Sequence, residues 1–259
     1  SYRWPNRYGL QYGIDILALK HFKSLGPNGL HASFFQRFWL VVGKSVMEEI
    51  KLVFAEKRVS EYLNKTHIAL IPKIQGSEML GNYRPISLCN SMYKVMTKII
   101  VARLRPHLGK LISPFQMAFV PGRKGSDNVI IAQEIINSLS KKKGGVRYMV
   151  LKIDLEKTSD KIEWSFIRDM PTRVNLPIDL RDIIMSCVST VSTSILFNGE
   201  ALDPIYPSIG IRQGDPLSPY LFILCMDYLG QLIEENAMQI SGSQLWHPKV
   251  ALFSPIFSS

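Results

Sequence analysis

The sequence predicts an α+β fold, and three observations predict it. Before the turn-like run Lys141-Lys142-Lys143-Gly144-Gly145, apolar residues recur at helical spacing in several long segments. After that run the period changes, and the order reads strand, helix, hairpin, loop, helix. Finally, Gly210-Ile211-Arg212-Gln213-Gly214-Asp215-Pro216 sets a polar, glycine-jointed loop directly before a long apolar helix.

Helix-period segments lie around Phe34 to Phe54, Ser91 to Leu108 and Asp127 to Leu139, the last with Asp127 or Ser126 placed to cap. Arg147 to Ile153 reads as a buried strand that delivers Asp154 at its end. Phe166 to Met170 and Asp179 to Val188 read as helical. Ser192 to Phe197, the tight turn Asn198-Gly199, and Ala201 to Tyr206 read as a hairpin. In the last helix Pro216 can open the first turn and Ser218 can satisfy an early N–H, while Leu217, Leu221, Leu224, Tyr228 and Leu232 follow at helical spacing. Gly210 and Gly214 let the backbone approach a partner with no Cβ in the way, and Arg212 and Gln213 offer donors between them. Spacing alone also permits an ordinary loop before a core helix.

With 46% apolar residues in 259, the chain can bury a large core as one domain or two closely packed lobes, so a folded protein is expected. No apolar run reaches the roughly 20 residues of a membrane helix, and the start shows no signal-peptide pattern, so an intracellular chain is expected. A first residue other than Met suggests a segment of something longer. Cys89, Cys187 and Cys225 have neither disulfide nor zinc spacing, so three buried thiols are expected. The net charge of +10 is uneven: up to Lys152 there are 24 Lys and Arg against 8 Asp and Glu, and from Ile153 onward 7 against 13. A basic half suits phosphates and a carboxylate-rich half suits divalent metal, although basic residues that only solubilise helix faces fit equally.

Particular residues carry more than composition does. The loop in its long form G-I-R-Q-G-D-P-L-S-P-Y-L-F closely resembles the R-Q-G-x-P-x-S-P loop of reverse transcriptases, in the style of plant LINE-type non-LTR retrotransposons. Further blocks are similar in the family's order. Lys23-Ser24-Leu25-Gly26-Pro27-Asn28-Gly29 resembles K-x-P-G-P-D-G, and Leu70-Ile71-Pro72-Lys73, Asn82-Tyr83-Arg84-Pro85-Ile86-Ser87-Leu88 and Gln116-Met117-Ala118-Phe119-Val120-Pro121-Gly122-Arg123 resemble others. Asp154-Leu155-Glu156-Lys157-Thr158-Ser159-Asp160 resembles the D-x-x-K-A-Y-D motif that carries the first catalytic aspartate.

The resemblance implies a right-hand polymerase with fingers and an incomplete palm and no thumb. Residues 1–145 would be a helical basic fingers-like region, 146–240 a palm-like region and 241–259 an aberrant or truncated tail. It gives Asp154 the catalytic and metal-binding role, with Mg²⁺ as cofactor. Lys73, Arg84, Asp160, Gln213 and Gly214 would bind the nucleotide, and Arg123 and Arg212 nucleic acid. An RNA template, a DNA primer and deoxynucleoside triphosphates are the implied partners, with no membrane, and a nuclear location is implied. As an isolated residue, a strand-end Asp is more often a turn or cap residue, and Lys73 and Arg84 would be solvated charges.

Two departures matter. The family's F-A-D-D pattern is expected shortly after the last helix, yet Asn236 to Ser259 contain neither Asp nor Glu. One aspartate cannot hold two Mg²⁺ ions, so this copy is expected not to bind the metal productively or to polymerise, its ending reading as frameshifted, mis-spliced or truncated. Ser159 stands where an aromatic ring would exclude a ribose 2′-OH, so a repaired enzyme is expected to accept ribonucleotides. Asn28, Leu25 and Ile209 also depart from the pattern. A non-catalytic nucleic-acid-binding remnant, or a pseudogene product that does not fold, are the alternatives.

Overall fold

The computed structural model describes residues 24–114, 116–117, 119–141, 155, 157–173 and 175–241, so the expected strand Arg147–Ile153 and Asp154 itself lie outside them. The fold is α+β. The chain divides into two compact units, one of Ser1–Arg103 with Ser159–Ser218 and the other of Leu104–Thr158 with Pro219–Ser259.

The first unit is built on a four-stranded mixed sheet in the order β2-β1-β3-β4, with β1 at Lys65–Pro72, β2 at Tyr83–Cys89, β3 at Ser192–Phe197 and β4 at Glu200–Ala201. β1 and β2 pair antiparallel from Thr66↔Cys89 to Pro72↔Tyr83, and β1 pairs in parallel with β3 from Lys65↔Ser192 to Ile68↔Ile195. Neither β1 nor β2 follows from the sequence pattern, because Pro72 and Pro85 interrupt the runs and no tight turn joins them. Position explains Pro85. The Ser87 N–H faces away from β1, to Gln213 O at 2.8 Å, and N–H groups alternate sides along a strand. Pro85 therefore shares that outward side and removes no bond from the β1 ladder. The connection is held by its own side chains, with Lys73 Nζ donating to Gly81 O at 3.0 Å and Tyr83 Oη to Ser77 O at 2.7 Å.

The expected hairpin is present with one addition. Asn198 and Gly199 both take positive φ, 51° and 87°, as a tight two-residue turn requires. From Leu196↔Ala201 to the bridge Thr193↔Ile205 the first arm advances three residues and the second four, so the second arm carries one extra residue beside Pro204.

Helices Ala32–Arg37 and Trp39–Glu56 replace the single expected helix, because Phe38 leaves helical geometry at φ −104°, ψ 23°. Ala32, Phe35, Val46, Ile50, Val95 and Ile99 form their buried contact with helix Ser91–Leu104. That helix ends earlier than its periodicity suggests, since Pro106 has no N–H with which to continue the ladder, and a 3-10 turn Arg105–His107 follows. Helix Trp164–Arg173 and helix Ile178–Ser189 match the expected helices to within a few residues.

In the second unit, helix Gly125–Lys141 starts two residues ahead of expectation, so Ser126 and Asp127 lie in its first turn and do not precede it. Helix Ser218–Ser241 buries Leu221, Phe222, Leu224 and Cys225. All three cysteines are free and buried.

Candidate functional site

The Gly210–Asp215 loop is fixed by backbone at both ends. Gly210 N donates to Ile162 O at 2.7 Å, Ile211 N to Ser159 O at 2.8 Å, and Ser87 N to Gln213 O at 2.8 Å. Trp164 Nε1 adds a bond to Gly210 O at 2.9 Å. The two glycines are required for distinct contacts: a Cβ at Gly210 would stand 2.7 Å from Asp160 O, and one at Gly214 would stand 3.0 Å from Ser87 O. Both have positive φ as well, 83° and 100°. The close partner that a glycine-jointed loop implies is, at both positions, the chain's own backbone.

This anchoring brings the Gln213 side chain to Asp160, Nε2 donating to Oδ1 at 3.2 Å. Gln213, Gly214 and Asp160 thus meet beside β2, the strand that carries Arg84. Arg84 pairs with Ile71 in the β1 register, two positions before Lys73. Lys73 is exposed, its ammonium resting on the Gly81 carbonyl. Asp154 lies outside the described residues. Among the described residues no three His, Cys, Asp or Glu side chains converge as metal ligands.

Arg212 points the other way, into the unit. Its Nη1 donates to Thr66 Oγ1 at 2.8 Å, and its Nη2 donates to the Tyr93 hydroxyl, to Cys187 O at 3.2 Å and to Asp215 Oδ2 at 3.2 Å. The guanidinium carbon lies 4.3 Å from the Tyr93 ring centroid, a cation–π distance. Tyr93, fully buried, donates its hydroxyl to Asp215 Oδ2 at 2.8 Å. Asp215 closes the arrangement, its Oδ1 accepting from Leu217 N at 2.9 Å ahead of helix Ser218–Ser241. Burial raises the Tyr93 phenol well above its usual pKa and pushes the Cys187 thiol up to about 12, so both stay neutral beside the Arg212–Asp215 ion pair.

Tyr93, Thr66 and Cys187 were not foreseen as parts of the loop's setting, nor was Asp215, inside the loop, foreseen as the partner of Arg212. A signal existed for one of them, since Asp215 stands three residues after Arg212. For Tyr93, 119 residues upstream, the sequence holds none.

In the second unit, Arg123 is likewise directed inward. Its guanidinium donates to the carbonyls of Ser113 at 2.5 Å, Gln116 at 2.6 Å, Ile112 at 3.2 Å and Gly109 at 3.4 Å. These bonds staple the segment between two helices. The same segment reaches helix Ser218–Ser241 through Ser113 N, which donates to Asp227 Oδ1 at 2.9 Å, and Gln231 Nε2 donates to Asp227 Oδ2 at 2.9 Å. Burial raises the Asp227 carboxyl, against the smaller lowering effects of these donors and the Arg123 charge.

Comparison with known proteins sets this geometry in a family. The sequence profile described as "Reverse transcriptase (RNA-dependent DNA polymerase)" matches residues 71–247. The chain is 26% identical to the uncharacterized 149 kDa protein of transposon TX1 of Xenopus laevis, over 81% of this chain and 16% of that protein. It is 25% identical to a Pol polyprotein from the type-1 retrotransposable element R2 of Nasonia vitripennis, over 85% of this chain and 21% of that protein. An uncharacterized mitochondrial protein of Arabidopsis thaliana is 57% identical over 24% of this chain and 69% of its own length. The chain therefore spans only a small part of the first two relatives.

Proposed function

Because the chain belongs to the reverse transcriptase (RNA-dependent DNA polymerase) family, as the domain of a non-LTR retrotransposon of R2/TX1 type, we propose that its Gln213–Gly214 turn holds an incoming deoxynucleoside triphosphate. One observation carries this reading: the turn is bonded at once to β2 through Ser87 and to Asp160 through the Gln213 amide. That arrangement gathers an amide, a carboxylate and an exposed glycine at one place, on the strand that also supplies Arg84. A glycine with no Cβ leaves room for a flat base or a sugar, and the cations Lys73 and Arg84 suit the triphosphate. In this reading β1, β2 and their connection are fingers, and the loop and the Asp160 segment belong to the palm.

Reverse transcriptases use divalent metal ions, and Asp154 is the ligand that the family pattern assigns. The described residues bring no ligand set together, so only binding and orientation of the nucleotide are derived from them. The basic stretch before Ile153 supplies the grip on the RNA template and DNA primer, through counterion release. The long form of the loop and the 57% identity to the Arabidopsis protein support a plant LINE-type branch.

Equilibrium titration of the full chain, bound to an RNA–DNA template–primer, with a fluorescent deoxynucleoside triphosphate tests the assignment. Gln213→Ala is expected to weaken nucleotide binding about tenfold, the worth of one well-placed polar contact of about 1.4 kcal/mol, and to leave duplex affinity unchanged. Equal nucleotide affinity in parent and variant would overturn it.

A further inference from the structure

We propose that Arg212, Tyr93 and Asp215 form a clamp of positioning residues, which presents the Gln213–Gly214 turn to the nucleotide without touching it. The inference rests on the nucleotide reading of that turn. Arg212 and Asp215 flank the two residues concerned, and both turn their charges inward while Gln213 and Gly214 stay at the surface. Each charged neighbour is held from a different direction. Arg212 grips β1 through Thr66 and helix Ile178–Ser189 through the Cys187 carbonyl, whereas Asp215 grips helix Ser91–Leu104 through Tyr93 and the end of its own loop through Leu217 N.

The Tyr93 hydroxyl joins the two halves, accepting from Arg212 and donating to Asp215. Its ring supplies the floor under the guanidinium. A two-residue turn anchored by its immediate neighbours on both sides has little freedom left, so the Gln213 amide is held ready for a ligand instead of being ordered by it. The choice of Arg follows from geometry. Thr66 Oγ1, Asp215 and the Cys187 carbonyl lie around one planar fork, and a lysine ammonium, a single point donor, cannot serve all three.

The clamp is tested with Tyr93→Phe and Arg212→Lys in the full chain, following thermal unfolding, amide hydrogen exchange of Ser87 and of residues 208–217, and binding of the fluorescent nucleotide to the template–primer complex. Tyr93→Phe keeps the packing and removes only the joining hydroxyl. The expected result is exchange about tenfold faster in the turn, nucleotide affinity lowered fivefold or more in both variants, and duplex affinity unchanged. Arg212→Lys should not rescue nucleotide binding, even where it retains the unfolding temperature. Lower unfolding temperatures with unaltered nucleotide affinity would reduce the trio to a core contact and overturn the proposal. Should the parent chain bind no nucleotide, the nucleotide reading of Gln213 fails instead, and exchange decides the clamp separately: unaltered protection of the Leu217 and Ser87 amides in Tyr93→Phe would overturn it.

Discussion

The Gln213 amide donates to Asp160 across 53 residues of sequence, tying the loop to the segment that follows the expected catalytic strand. Ser159 O and Ile162 O hold the loop's first residues beside that segment, with Trp164 Nε1 on Gly210 O and Ser87 N on Gln213 O as further anchors.

Gly210→Ala is therefore expected to destabilise the first unit more than Gly199→Ala. Both glycines have positive φ, but a Cβ at Gly199 meets nothing within 4 Å, while one at Gly210 meets the Asp160 carbonyl. Urea unfolding should show a loss of about 1 kcal/mol for Gly199→Ala, the cost of the backbone conformation alone. For Gly210→Ala the loss should be about 3 kcal/mol, because rigid backbone must also move. Equal losses would mean that the loop sits further from Asp160.

Arg123 and the pair Lys73 and Arg84 should separate in a salt titration of RNA binding. Replacing Lys73 and Arg84 by Ala is expected to lower the log–log salt slope by about two, roughly one per phosphate contact. Arg123→Ala strips donors from four carbonyls and should lower the unfolding temperature with little change of slope. A slope unchanged in the double variant would remove Lys73 and Arg84 from the RNA contacts and leave them to the triphosphate alone.

Stability should fall with rising pH through the Asp227 titration, opposite to ordinary acid denaturation. Burial raises the folded-state pKa of this carboxyl above its unfolded value, so the folded chain holds its proton more tightly. The stability so contributed is full below the unfolded value near 3.9 and is lost as pH climbs through the folded value. Asp227→Asn should flatten that part of the curve of unfolding midpoint against pH. A curve identical to the parent's would show that Asp227 titrates normally.

Primer extension on an RNA template with Mg²⁺ and deoxynucleotides is expected to be undetectable for these 259 residues, whose sequence after Asn236 contains no carboxylate side chain. Incorporation that disappears in Asp154→Ala would overturn that expectation.

Much of the helical architecture was legible because single helices declare themselves locally. Ile178–Ser189 and Trp164–Arg173 needed only their own apolar periods, and the Ser192 hairpin needed only Asn198-Gly199. β1 and β2 were not legible, since their partners are set by tertiary contact: β1 finds β3 far along the chain, and Pro85 is tolerated only because its outward side faces no strand. The loop's importance was visible in its residues, but the direction of Arg212 was not. A forked donor beside a glycine reads as a hand extended to a ligand until the buried Tyr93 and Asp215 are seen to receive it.

The parallel pairing of Lys65 with Ser192 has a consequence for the order in which the protein acquires its shape. A chain emerging from the ribosome presents β1 with one edge open until β3 arrives, and Thr66 and Tyr93 wait for Arg212, 146 and 119 residues downstream of them and later in synthesis than β3. The hairpin of β1 and β2 can form early, yet the sheet gains β3 only when Ser192–Phe197 has been synthesised, and the buried hydroxyls of Thr66 and Tyr93 gain the Arg212 donor only when the loop has followed. Such distant pairings make folding slow and leave an unpaired strand edge exposed to other chains in the meantime. The residues that shape the nucleotide turn therefore also complete the fold, and a nascent chain interrupted before Arg212 would leave the Thr66 and Tyr93 hydroxyls without the donor that joins them.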